Sequence, residues 1–272
     1  MSQRLRPCGS LCQHGENEPL TPSPWVKIED MITKMIEPIK AYSVGHLILC
    51  LGLVLFAVPA VSLLRKSKKQ RVIVCFGIAL AVIEVLKQLI MNQIFESYSW
   101  SDIPFQLCSV PMYLCLLYPF IKKCRRTFEL FLGSFGMLGA IVAFAIPYDV
   151  FSGYLFLSIQ SIVWHELLLI LGLYCVVVLN KKEEPGVKDF RNNATLYLIL
   201  ALIAIGINAL LWGKSSGTAN MFFLGPSKPC VMILDDIYEK CGWGVESIVM
   251  ICCSEAAGAL ILLVVRLVKK IG

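Results

Sequence analysis

The side chains best suited to chemistry in this sequence are a thiol and an imidazole, each embedded in a long apolar run: Cys108 in PFQLCSVPMYLCL at 104–116 and His165 in IQSIVWHELLLILGLY at 159–174. A cysteine attacks a carbonyl as the thiolate, and apolar surroundings disfavour that anion. Acyl transfer through Cys108 therefore requires a neighbouring imidazole to take the proton. His165 is the only histidine deep in an apolar run; His46 falls near the end of another, and His14 lies in the polar start of the chain. Each residue alone has a plainer reading. A buried histidine is more often a hydrogen-bonded structural residue than a base, and one of twelve cysteines is by default a small apolar filler.

Further polar groups accompany them. Glu84, Lys87 and Gln88 stand at i, i+3 and i+4, so on a helix they share a face and the carboxylate can neutralise the ammonium. Gln106, Asn208 and Ser161 are candidates to bind substrate or steady an oxyanion, Ser161 lying one helical turn before His165. Ser158 shares that face, whereas Glu166 points about 100° away from it. Glu246 and Glu255 add carboxylates to the last apolar run. A charge at mid-bilayer costs at least ~2.5 kcal/mol, so such groups mark tight helix pairing or a site.

The elements that must position these residues are membrane-crossing helices. The chain is 57% hydrophobic and only 16% charged, with mean hydropathy +0.72, far from the roughly 25% charged residues of an average soluble domain. Apolar runs occupy about 43–64, 72–95, 104–121, 127–146, 154–179, 194–212 and 244–265. Each is near the ~20 residues at 1.5 Å rise that cross ~30 Å of hydrocarbon, and each must satisfy its own backbone as a helix. The expected fold is all-α, a polytopic bundle of seven transmembrane helices. Residues 1–42 form a polar tail, 43–265 the membrane domain and 266–272 a basic tail.

Basic residues set the orientation. Five lie in 65–71, four in 122–126, four in 180–193 and three after 265, all on one side of a seven-span bundle, which is the cytoplasmic side because Lys and Arg are retained there. The N-terminus is then outside and the C-terminus cytoplasmic, in a multi-pass protein expected in the cell membrane. Counted at 1.5 Å per residue from these basic anchors, Glu84, Cys108, His165, Asn208 and Glu255 fall in one layer roughly 17–26 Å deep. A polar pocket opening outward is the simplest arrangement of that layer.

The first 24 residues hold no apolar core of signal-peptide length, so the first span is expected to direct insertion. Ile28, Met31, Ile32, Met35, Ile36 and Ile39 recur at helical spacing opposite charged residues, which predicts an interfacial amphipathic helix over 26–40. Gly133, Gly136, Gly139, Ala140 and Ala143 form a stripe of small residues suited to close helix packing. In the long 213–243 loop, GTANMFFLGPSKP carries turn residues around a Met-Phe-Phe cluster able to dip back toward the membrane, and Cys230 and Cys241 are a candidate disulfide. Cys8-x-x-x-Cys12-x-His14 has loose metal spacing without a fourth ligand, so no metal is expected. No Walker loop, dinucleotide fingerprint or HExxH occurs, and no nucleic-acid motif accompanies the net charge of +6; no cofactor and no nucleic-acid partner are expected.

With these residues in view, PFQLCSVPMYLCL, the His165 helix and Asn208 followed by 217–229 resemble the YwaF family of multi-pass bacterial membrane proteins over roughly 43–265. That family is similar to eukaryotic transmembrane acyltransferases that remodel ether phospholipids with a membrane-embedded Cys-His pair. The resemblance implies Cys108 as acyl-accepting nucleophile and His165 as its base, with membrane phospholipids as partners. The eukaryotic pattern has Asn-Pro before and His after the cysteine, where this chain has Gln106-Leu107 and Ser109. Two readings compete with a lipid acyltransferase or acyl hydrolase: a proton- or solute-translocating transporter using Glu84, Lys87, His165 and Glu255, and a non-enzymatic assembly protein.

Overall fold

The computed structural model describes residues 32–93, 100–147, 150–179, 184–228 and 232–271. Among them the chain runs through helices α1 (Val44–Leu64), α2 (Lys69–Gln93), α3 (Val110–Leu117), α4 (Arg125–Ala145), α5 (Leu155–Leu179), α6 (Val187–Leu211), α7 (Met232–Cys241) and α8 (Trp243–Ile271). All but α3 and α7 are long and apolar enough to cross a membrane, which gives six candidate spans among the described residues.

The helices divide into a buried pair and an apolar jacket. Within their most apolar windows, α4 is 56% and α5 44% buried, against 11% for α1, so α4 and α5 form the centre. They meet through the small residues: a Cβ at Gly172 would stand 2.6 Å from Met137 Cβ, and one at Gly133 would stand 2.8 Å from Val176 Cγ2. Both helices widen into a π turn there, at Leu132–Gly136 and Cys175–Leu179. On α1, Leu47, Ile48, Leu51, Leu55 and Phe56 all face outward. So large an apolar exterior needs hydrocarbon rather than water around it.

The ends of the bundle are chemically distinct. At one end Arg125 Nη2 donates to Gln70 (3.2 Å), Arg126 makes a forked pair with Asp189 (2.9 Å on each arm), and Arg266 lies 3.9 Å from Glu184. Asp189 also accepts from the Gly186 N–H at 2.9 Å, capping the start of α6. The basic ends of α2, α4, α6 and α8 thus converge as the charge pattern predicted. At the other end His46 on α1 bonds the Phe144 carbonyl at the close of α4 (2.9 Å).

The segment expected as the third span is broken. Of 104–121 only the eight residues of α3 are α-helical, because prolines stand at 104, 111 and 119. Pro111 has no N–H to offer the Leu107 carbonyl and occupies the first turn, and Pro119 excludes the bond that would carry the helix onward. The segment nevertheless runs the length of α2. Gln88 Nε2 donates to the Asp102 carbonyl (2.8 Å) near one end of that helix, and Arg125 reaches Gln70 at the other, a separation of about 27 Å at 1.5 Å per residue.

Its irregular backbone is satisfied by side chains and turns. Besides the Asp102 carbonyl, Ile103 O accepts from Phe105 N (2.7 Å), Pro104 O from Tyr113 Oη (2.8 Å), Gln106 O from Ser109 N (2.8 Å) and Cys108 O from Trp164 Nε1 (3.2 Å). Non-helical backbone at membrane depth survives only where the protein supplies such partners.

A second departure concerns the amphipathic segment 26–40. Residues before 32 lie outside the described ones, and 33–40 are not helical: Ile36 N donates to Gly153 O (2.9 Å) and Leu155 N to Lys34 O (3.0 Å), with Met35 bridged to Tyr154. Pro38 opposes a helix here, and the open backbone before α5 offers a partner instead. Ile32 is buried by this docking.

Candidate active site

Cys108 occupies the turn that leads into α3, not the middle of a helix. That placement follows from Pro111, which fixes the start of α3 at Val110 and leaves the thiol just before a helix N-terminus. Two long helices press on it. A Cβ added to Gly139 of α4 would lie 3.4 Å from Cys108 Cβ, and Trp164 of α5 holds the Cys108 carbonyl. The small-residue stripe of α4 is what allows this approach.

His165 is the residue after Trp164, so the helix that anchors the cysteine backbone also delivers the imidazole. His165 Nδ1 donates to the Ser161 carbonyl at 2.8 Å, with Ser161 Oγ at 3.5 Å. A carbonyl only accepts, so the proton resides on Nδ1 and Nε2 keeps its lone pair. The ring packs edge-on against Phe144, centroids 6.0 Å apart.

Both residues line one chamber of about 260 Å³, together with Glu84, Lys87, Asp102, Gln106, Ser109, Gln160 and Ser161. Glu84 is tied down by Gln88, whose Nε2 also holds Asp102 O, and Lys87 Nζ stands 3.7 Å from Glu84 Oε1. Ser109 follows Cys108 in the chain and lines the same chamber. The chamber therefore combines a nucleophile, an imidazole with a free lone pair, hydroxyl donors and a cation partly balanced by a carboxylate. No three His, Cys, Asp or Glu side chains converge as metal ligands among the described residues.

The remaining candidates lie elsewhere. Asn208 is buried on α6, its Nδ2 donating to Met221 O (3.0 Å) and its Oδ1 accepting from Met221 N (2.6 Å). Gln106 borders the chamber but also donates to Asn220 O (3.0 Å) and accepts from Phe222 N (2.8 Å). Together the two amides clamp the 219–225 loop inside the bundle, where Met221, Phe222 and Leu224 are fully buried and Phe222 stacks on Phe105 and Tyr197. The Met-Phe-Phe cluster thus enters the core. Phe222 and Phe223 pay for it with left-handed backbone, φ 59° and 57°. Glu255 lies on α8 and does not border the chamber. Ser158 bonds Ser152 O near the start of α5 (2.9 Å). Cys8, Cys12, His14 and Cys230 lie outside the described residues.

Trp164 and Asp102 carry roles that spacing did not show. Trp164 was hidden by looking apolar, although its indole N–H needs a partner once buried. The three prolines of 104–119 were the available signal for the broken segment.

A family profile matches residues 39–265, a stretch that contains every chamber residue. The chain belongs to the TMEM164 family. No curated protein and no solved structure matches it significantly. Membership of the TMEM164 family, a multi-pass membrane family, together with six apolar helices makes this a multi-pass membrane protein.

Proposed function

We propose that this TMEM164-family protein is a membrane-embedded lipid acyltransferase or acyl hydrolase acting on a phospholipid ester through Cys108 and His165. The observation that carries the reading is their common chamber, in which Trp164 grips the Cys108 backbone while the next residue presents an unprotonated Nε2. The likeness of 104–116 and 159–174 to the YwaF family and to the Cys-His acyltransferases supports the same assignment.

His165 Nε2 removes the thiol proton, and the Cys108 sulfur forms a bond to the ester carbonyl carbon. The tetrahedral intermediate collapses, the C–O bond to glycerol breaks, and the leaving oxygen takes the proton from His165. An acyl thioester and a lysolipid result. A hydroxyl of an acceptor lipid, or water, then loses its proton to His165, attacks the thioester and restores the thiol. Ser109, the N-terminus of α3 and Lys87 border the chamber and supply donors and positive charge that offset part of the cost of forming a thiolate in apolar surroundings. The second Nε2 hydrogen of Gln106 serves the oxyanion, and Asn208 steadies that amide from behind by fixing Met221.

In this reading residues 102–124 make a seventh crossing, the N-terminus is outside, the basic end faces the cytoplasm and the protein resides in the cell membrane. The transporter reading needs Glu84, Lys87, His165 and Glu255 in one path, and Glu255 stands apart from the other three.

The test uses purified protein in phospholipid vesicles with a probe that leaves its acyl group on a thiol. Label mapped to Cys108, with turnover lost in Cys108→Ser and reduced at least ~10²-fold in His165→Ala, is the expected result. Full lipid turnover by either variant overturns the mechanism.

A further inference from the structure

A second and larger cavity, about 580 Å³, runs between α2 and the broken segment and is lined by Ala81, Val85, Leu89, Pro104, Met112 and Leu116, with Glu84, Gln88 and Asn92 along one edge. Its volume is that of a ligand site, typically about 300–1,000 Å³. Three observations identify what fits it. It extends along α2 from Ala81 to Asn92, about 16 Å at 1.5 Å per residue, so it suits an elongated occupant. Its flank is the apolar outer face of α2, where Val82, Val85, Leu86 and Leu89 are all at least half exposed, so it opens toward lipid. Finally, Glu84 and Pro104 line both this groove and the Cys108–His165 chamber, which makes the two cavities neighbours across one wall.

We propose that the α2–α3 groove holds the acyl chain of the donor phospholipid, admitted sideways from the bilayer, while its ester lies in the chamber at Cys108; this deepens the acyl-transfer reading and rests on it. Glu84 stands where the groove meets the chamber, Gln88 and Asn92 continue from it along one edge, and the apolar residues line the rest of the length a hydrocarbon would follow. A chain leaving bilayer for groove exchanges one apolar environment for another, so burial alone gives it no preference for the site. Selectivity then comes from shape. Pro104, Met112 and Leu116 form the wall contributed by the proline-broken segment, and a regular helix over 104–121 would present a different wall.

Two readouts separate the groove from the chemistry. A phospholipid carrying a diazirine in its acyl chain is photolysed with the Cys108→Ala protein, which binds without turning over. Crosslinks are expected within 81–92 and 112–116, and Ala81→Phe in the same background is expected to reduce them about tenfold. In the Cys108-intact protein, Ala81→Phe is expected to lower the ratio of long-chain to short-chain ester turnover about tenfold, with labelling of Cys108 by a small alkylating reagent unchanged. Leu89→Phe, on the exposed rim, gives the same test if Ala81→Phe does not fold. Crosslinks elsewhere, or an unchanged chain-length ratio with Cys108-dependent turnover intact, overturn the groove assignment. Loss of Cys108 dependence with crosslinks still in the groove overturns the acyl-transfer chemistry and leaves the lipid site standing.

Discussion

His46 and His165 hold opposite tautomers, and the difference decides which of two thiol–imidazole pairs can do chemistry. His46 Nδ1 accepts from the Tyr42 N–H (3.1 Å), so its proton sits on Nε2 and is donated to Phe144 O; Cys50 Sγ lies 3.3 Å from that same nitrogen. A protonated nitrogen cannot take the Cys50 proton, and the pair fastens α1 to α4. His46→Ala is therefore expected to cost stability, about 1–3 kcal/mol for the carbonyl and amide left unpaired, and to leave Cys108 labelling by the acyl probe intact. His165→Ala is expected to do the reverse, and thermal unfolding beside probe labelling tells the two apart. Trp164 belongs at this scale as a positioning residue. Trp164→Phe leaves the Cys108 carbonyl without its donor, and the expected result is about a tenfold fall in kcat with KM little changed. An equal fall in kcat and in thermal stability, reversed together by a stabilising lipid, would mark Trp164 as merely structural.

Among the elements, the proline-broken segment and the inserted loop hold each other in place. Gly77 is where α2 admits α3: a Cβ there would sit 2.8 Å from Cys115 Cβ and 3.0 Å from the Leu116 N. Gly77→Ala has no room to relax against backbone and is expected to destabilise by about 1–3 kcal/mol, seen as a lower Tm together with slower alkylation of Cys108. On the other side, Gln106 and Asn208 hold a loop whose two left-handed phenylalanines would not persist unaided. Asn208→Ala is expected to free Met221 and expose 219–225 to proteolysis, and a loop that stays protected would show that the phenylalanine stacking suffices. The apolar runs predicted the long helices well because each helix closes its own hydrogen bonds locally. The same reading failed over 104–121, since hydropathy sums apolar side chains and is blind to the N–H that each proline lacks.

At the scale of the whole molecule, the four links among Gln70, Arg125, Arg126, Glu184, Asp189 and Arg266 gather the basic ends at one face of the bundle. Single cysteines placed in 65–71 and in 122–126 of a variant without accessible thiols are expected to react with a membrane-impermeant reagent only from the cytoplasmic side, and ones placed at 97–99 only from the other. Reaction of the 122–126 cysteine from the outer side would remove the crossing assigned to 102–124. The docking of 34–36 on 153–155 gives a related expectation: removing residues before 42 should lower Tm, because it takes away the buried Ile32 side chain and the backbone pairing at 153–155.

By itself the sequence determined the solvent and the cast: apolar runs of membrane length, a basic end, and Cys108, His165, Glu84 and Lys87 among the few polar groups set within them. Those features are local or additive along the chain, so composition and spacing contain them. Only the tertiary structure decided which of the polar groups meet. Gln106 and Asn220 are 114 residues apart, and no periodicity relates them; nor does any relate the Trp164 indole to the Cys108 carbonyl. Depth alone put Asn208 and Glu255 beside His165, whereas the rotation of each helix about its own axis turned Asn208 onto the loop and left Glu255 away from the chamber. Rotation is set by how neighbouring surfaces pack, and that information belongs to pairs of helices rather than to any one run of residues.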